Sequence, residues 1–126
     1  MEWIQRKEPV FSDFVTVIEA ATLGKTTLSM SRINHGEVIY LIRKNFPADE
    51  GAKALSLFRG LPIALHSVPD RLIDAAVELK SEFPISFADA FAAAQAMKLS
   101  VPLLTGDRDL LLLRDAGLLQ LHWIGA

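Results

Sequence analysis

At 126 residues, with 51% hydrophobic and 22% charged residues and a formal net charge of −2, the chain has the size of one domain with one core. It lacks a global positive field, so any nucleic acid must meet a local basic patch. Cysteine is absent, which excludes disulfides, cysteine-ligated zinc and thiol catalysis. The start, MEWIQRKEPV, has no apolar signal core, and no apolar run is long enough to span a membrane, so a cytoplasmic protein is expected.

Helical spacing of Phe11, Phe14, Val15 and Ile18 predicts a helix over 10–21, which Gly24 can end. A short buried strand is predicted over 27–31. Helices follow over 32–45, stopped before Pro47, and over 48–59, ended by Gly60 and Pro62. A strand over 62–68 leads into a helix over 70–83, with Leu72, Ala76 and Leu79 on one side. An alanine-rich helix is predicted over 86–98, a strand over 101–105, a helical segment over 108–115 and a last strand over 119–124. Strands alternating with helices argue an α/β fold with a parallel sheet flanked by helices. The high hydrophobic content suits a sheet covered on both faces and an apolar dimer face. No repeat, low-complexity tract or linker divides 1–126, which reads as a single domain.

Three acidic residues stand where such a fold gathers chemistry. Glu37 follows the apolar run TLSMS, Asp89 opens a helix in SFADAFAAAQA, and Asp107 follows VPLLT in TGDRD. Ligands of a parallel sheet bind outside the carboxyl ends of its strands. Carboxylates gathered there repel one another unless a cation sits between them, and oxygen-only ligation suits Mg²⁺ or Mn²⁺.

Each of these residues also has a plainer reading. Glu37 shares a helix side with Ile33, Tyr40 and Leu41, a stripe expected to face the core, where a carboxylate is costly unless paired or metal-bound; at the stripe's edge it would simply reach water. Ser86 and Asp89 form a variant capping box, which is compatible with Asp89 also pointing across a site. Gly106 and Asp107 suit a turn. Thr105 presents its hydroxyl at the same strand end, and Asp109 is either a further ligand or a cap for 110–114. Ser31 and Asn34 either orient the site or cap the helix that starts after Ser31.

Of the histidines, His66 and His122 fall in strand patterns and read as packed side chains, and His35 stands apart. Arg43, Lys44, Arg71, Lys98, Arg108 and Arg114 offer a modest phosphate-binding rim, although most surface Lys and Arg are only solvated charges. Gly36 sits mid-helix, where glycine costs about 1 kcal/mol relative to alanine, so a close neighbour is expected there. No nucleophile elbow and no glycine-rich phosphate loop is present.

Three motifs, S-x-x-N-x-G-E over 31–37, S-x-A-D-A over 86–90 and P-L-L-T-x-D over 102–107, occur in an order and spacing that cover most of the chain. With them the chain resembles the PIN-domain nucleases, most closely the small VapC-like ribonuclease toxins of bacterial and archaeal toxin–antitoxin pairs. The resemblance implies a three-layer sandwich with a central parallel sheet. It also implies an endoribonuclease dependent on Mg²⁺ or Mn²⁺, with Glu37, Asp89 and Asp107 holding the metal, Asp109 more weakly, and Ser31, Asn34, Ser86 and Thr105 in support. The implied partners are an RNA substrate, a small antitoxin whose tail occupies the groove, and a second copy of the chain.

One departure from the pattern is evident. Chains of this family open with a central strand ending in an aspartate, whereas WIQRKEPV looks like the segment just after that strand. The expectation is a misplaced start or a truncated copy, short of one metal-holding carboxylate and impaired in activity and stability. Asp13 and Glu19 lie in a helical pattern and do not match the motif. Two alternatives remain: a catalytically impaired module that still binds antitoxin or RNA, and an unrelated flavodoxin-like or receiver-like domain. The latter is disfavoured, because its usual acidic cluster lies after the first strand.

Overall fold

The computed structural model describes residues 10–125. The expectation of a lost first strand falls on residues 1–9 and lies outside the described residues. From there the elements alternate as anticipated: α1 (Val10–Thr22), β1 (Leu28–Ser31), α2 (Arg32–Asn45), α3 (Ala48–Arg59), β2 (Ile63–His66), α4 (Asp70–Glu82), α5 (Phe87–Leu99), β3 (Leu103–Thr105), a 3₁₀ turn (Arg108–Leu110), α6 (Leu111–Asp115) and β4 (Leu121–Trp123). Local chemistry sets most boundaries. Ser31 and Ser86 accept backbone N–H bonds as N-caps of α2 and α5. Pro47 and Pro69 precede α3 and α4, and Ser100 closes α5 in the left-handed region at φ 55°.

The strands pair in parallel, Leu28 opposite Ile63 through Ser31 opposite His66, and Leu103 opposite Leu121 through Thr105 opposite Trp123. Among the described residues these are two separate two-stranded sheets rather than one. An isolated pair of such short strands is marginal in water. Here β1 and β3, one from each pair, both lie against α5, which also packs on α2 and α4. The core accordingly joins Leu72, Ala76 and Leu79 of α4 to Ala90, Phe91, Ala93 and Ala94 of α5, with Ile85, Leu110 and Leu113. Helix α5 is apolar nearly all round, the mark of a helix enclosed by its neighbours.

Helix α2 turns differently from expectation. Its buried residue is Ile42, on the side shared with Asn34 and Val38, whereas Ile33 and Tyr40 are 42% and 58% exposed. Ile33 and Tyr40 of the stripe expected to face the core therefore face outward, Leu41 is half-buried, and Glu37 is exposed, as in its edge-of-stripe reading. A hydrogen bond from Asn34 to the start of α5 selects the inward side. Gly36 is likewise not closely packed, since a Cβ built there meets nothing within 4 Å. His122 is exposed rather than packed, while His66 is half-buried with no partner for its Nε2 among the described residues.

Gly106 is the glycine that geometry requires. A Cβ there would lie 2.5 Å from the carbonyl oxygen of Ile124, because β3 and β4 remain paired past Thr105, whose carbonyl accepts from the Ile124 N–H at 3.0 Å. Gly106→Ala is expected to lower stability by about 1–3 kcal/mol through overpacking, whereas Gly36→Ala raises it by about 1 kcal/mol through helix propensity. Urea denaturation of both variants checks the opposite signs.

Candidate functional site

The site forms where α2, α5 and the turn after β3 begin. Ser31, 1% exposed, ends β1 and starts α2. Its Oγ accepts the Asn34 N–H at 3.2 Å and its hydroxyl donates to Asn34 Oδ1 at 2.7 Å. With its orientation so set, Asn34 donates from Nδ2 to the Ala88 carbonyl at 2.8 Å. This chain of bonds fastens the first turn of α2 to the first turn of α5, one residue before Asp89. Ser31 thus caps α2, as one reading had it, and Asn34 ties that cap to α5.

Asp89 is half-buried, and its N–H donates to Ser86 Oγ at 3.1 Å. Asp107 lies just past β3. Its N–H donates to Thr105 Oγ1 at 3.0 Å, and its Oδ1 accepts the Asp109 N–H at 2.9 Å, which caps the 3₁₀ turn. The cap at this corner is therefore Asp107; Asp109 lies inside the turn and is exposed.

The electrostatics show which carboxyl groups meet. Burial pushes the Asp89 carboxyl up from its ordinary 3.8 to about 6, the charge of Asp107 and a hydrogen bond between the two side chains push the same way, a bond from Ser86 opposes, and the charge of Glu37 adds a smaller push. Asp89 and Asp107 thus form a carboxyl pair within hydrogen-bonding reach, with Glu37 in electrostatic reach. Asp109 has no part in the balance that sets Asp89. Among the described residues no group of three Asp, Glu, His or Cys side chains is drawn together tightly enough to hold a metal ion. The donor chemistry still fits one. A hard cation such as Mg²⁺ keeps several waters and is commonly bound through one or two carboxylates, and two mutually repelling carboxylates are the all-oxygen pair such an ion takes.

Comparison with known proteins gives the family and the fold. The sequence profile of the PIN domain matches residues 1–116. The chain belongs to the PIN domain family. No curated protein matches it significantly. Among solved structures, this PIN domain is similar to a chain in the crystal structure of VapBC2 from Rickettsia felis bound to a DNA fragment from their promoter. The identity is 17% and the TM-score 0.70, over 96% of this chain and 89% of that one. A toxin–antitoxin complex from Klebsiella pneumoniae shows 22% identity and a TM-score of 0.48, over 65% of each chain. At these identities the likeness to VapBC2 is one of fold.

In the sequence Gly106 reads as an ordinary turn residue. Its close approach to Ile124 is set by a strand 18 residues further on, and no local signal marks it.

The raised Asp89 carboxyl has a definite consequence for stability. A folded pKa above the unfolded value means that the group favours folding fully below about 3.8, and that this contribution is lost as pH rises through about 6. Without added cation, Asp89→Asn is therefore expected to melt higher than the parent at about pH 7.5, and the gap should close by about pH 4. Thermal melts of both proteins across that range check it; parallel curves would remove the carboxyl repulsion.

Proposed function

We propose that this PIN domain is an endoribonuclease dependent on Mg²⁺ or Mn²⁺, the toxin of a toxin–antitoxin pair, hydrolysing RNA phosphodiester bonds. The observation that carries the reading is the carboxyl pair Asp89–Asp107 with Glu37 in reach, at the carboxyl ends of β1 and β3. Asp89 and Asp107 would hold the cation, with Glu37 as third carboxylate. When bound, such an ion supplies Lewis acidity, a water nucleophile at neutral pH and neutralisation of charge on the phosphate. Ser86 positions Asp89 and Thr105 positions Asp107. The Ser31–Asn34–Ala88 bonds keep α2, and with it Glu37, beside α5. No separate protein base is assigned, because the carboxylates' work is to hold the ion.

Protein partners enter the same proposal: an antitoxin, in line with the VapBC2 neighbour, and a second copy of the chain. Large apolar side chains exposed on α2 and α3 (Tyr40, Leu57) and on α4 and α5 (Ile73, Val77, Phe87) are the surface such partners would cover. No helix among the described residues is long and apolar enough to cross a membrane. A cytoplasmic location is proposed with the RNA substrate.

A second reading is favoured by one observation: no three-ligand set is assembled among the described residues. In that reading the domain binds antitoxin or RNA and cuts weakly or not at all.

The test is incubation of single-stranded RNA with the purified chain and Mn²⁺, with and without EDTA. The expected outcome is cleavage that EDTA abolishes and that Asp107→Asn lowers by at least about 100-fold, the upper range seen for mere outer-shell partners of a metal. Antitoxin binding with intact RNA selects the second reading.

A further inference from the structure

Helix α2 separates two clusters of opposite sign. Glu37 lies toward Asp89. On another side of the helix, Arg32 and His35 stand three residues apart and so share a face. The His35 ring stacks on Phe58 of α3, with centroids 4.8 Å apart and planes at 29°. Phe58 is only 2% exposed, so the imidazole rests on a fixed floor. Arg59, next to Phe58 in the chain, ends α3. Both arginines are exposed. Among the described residues the ion pair is Arg114–Asp115, and neither Arg32 nor Arg59 has a carboxylate within pairing distance. Burial first, then the charges of Arg59 and Arg32, lower the pKa of His35 from 6.5. The ring is accordingly neutral at neutral pH, flanked by two permanent charges.

We propose that Arg32, His35 and Arg59 form a subsite for single-stranded RNA on the α2–α3 hairpin, distinct from the carboxylates, with backbone phosphates on the two arginines and a base on the imidazole ring. The inference rests on the ribonuclease reading and supplies what that reading lacks. A chain of net charge −2 whose reaction centre is itself acidic needs its phosphate affinity elsewhere. Arginine is well suited to phosphate, and Arg32 opens a helix, where free N–H groups also favour an anion. A planar ring on a rigid support takes a base without regard to sequence. The five steps along the helix from Arg32 to Glu37 span about 7.5 Å of axis, close enough for one strand to touch both clusters. An acidic peptide would use the arginines but have no use for the ring, so the flanked ring favours RNA.

The experiment uses the full chain in EDTA, which prevents cleavage, and a fluorescent single-stranded RNA of about 12 nucleotides, within the usual range of such sites. Affinity is read by anisotropy at several salt concentrations. Each lost phosphate contact should flatten the slope of log K against log salt by about 0.7, so Arg32→Gln with Arg59→Gln should flatten it by about 1.4. His35→Ala should weaken binding about tenfold with the slope unchanged. Lys25→Gln, at an exposed lysine between α1 and β1, should change neither. Lysine at both positions should keep the slope, and thermal melts confirm folding; if the double variant does not fold, Arg59→Gln alone should show half the change. An unchanged slope in the glutamine variants overturns the subsite. So does a polyglutamate peptide that outcompetes RNA on the parent and loses binding in the double variant. Should the parent cut RNA with Mn²⁺ while the slopes stay equal, the subsite alone fails. Should the parent neither cut nor bind RNA, the ribonuclease reading fails and takes the subsite with it.

Discussion

The burial of α5 is the constraint on which the rest of the structure depends. β1 and β3, α2 and α4 all pack on it, and among the described residues the two strand pairs share no ladder. Its alanines make this arrangement possible. Ala90 and Ala93 are fully buried, lose almost no side-chain entropy on folding, and let neighbouring backbones approach closely. The packing is not free of cost. Gln95 is buried on the same helix with neither amide atom bonded among the described residues, a penalty of about 1–3 kcal/mol. The apolar contacts of Leu72, Leu79, Phe91, Leu110 and Leu113 around the alanines outweigh one such term.

The position of α5 also creates the electrostatic tension of the site. Its first turn comes to the place where β1 passes into α2 and where β3 ends. The N-terminus of a helix favours a negative charge, and Ser86 bonds to Asp89. Taken alone, those effects would hold the carboxyl low. They are outweighed by burial and by Asp107, with Glu37 adding to the repulsion. A helix start that brings together carboxylates able to repel one another is poor for stability and well suited to a hard cation. Opposite Glu37, α2 carries Arg32 and His35, so one helix sorts negative from positive charge around the same corner of the fold.

Much of this was legible in the residues themselves. The bounds of α2 and α3 agree with expectation residue for residue, because Ser31, Pro47 and Gly60 act on the backbone next to them. The strands came out shorter than expected, since pairing requires a partner of matching length: 27–31 became Leu28–Ser31, and 119–124 became Leu121–Trp123. Of the two readings of Glu37, the one in which it reaches water matches its exposure, whereas the stripe beside it was expected to face the core. A helix with apolar residues on several sides does not declare which of them faces inward. That was decided by the bond from Asn34 to Ala88, 54 residues away.

The sequence alone therefore determined the order and type of the elements, their caps, and the motifs that carry the acidic residues, because these arise from interactions within a few positions along the chain. The tertiary structure alone decided that Asp89 and Asp107 meet while Asp109 stays apart, that Gly106 and not Gly36 needs its missing side chain, and that His35 lies on Phe58 beside Arg32 and Arg59. Each of those depends on a neighbour far along the chain, and only packing brings such neighbours within reach.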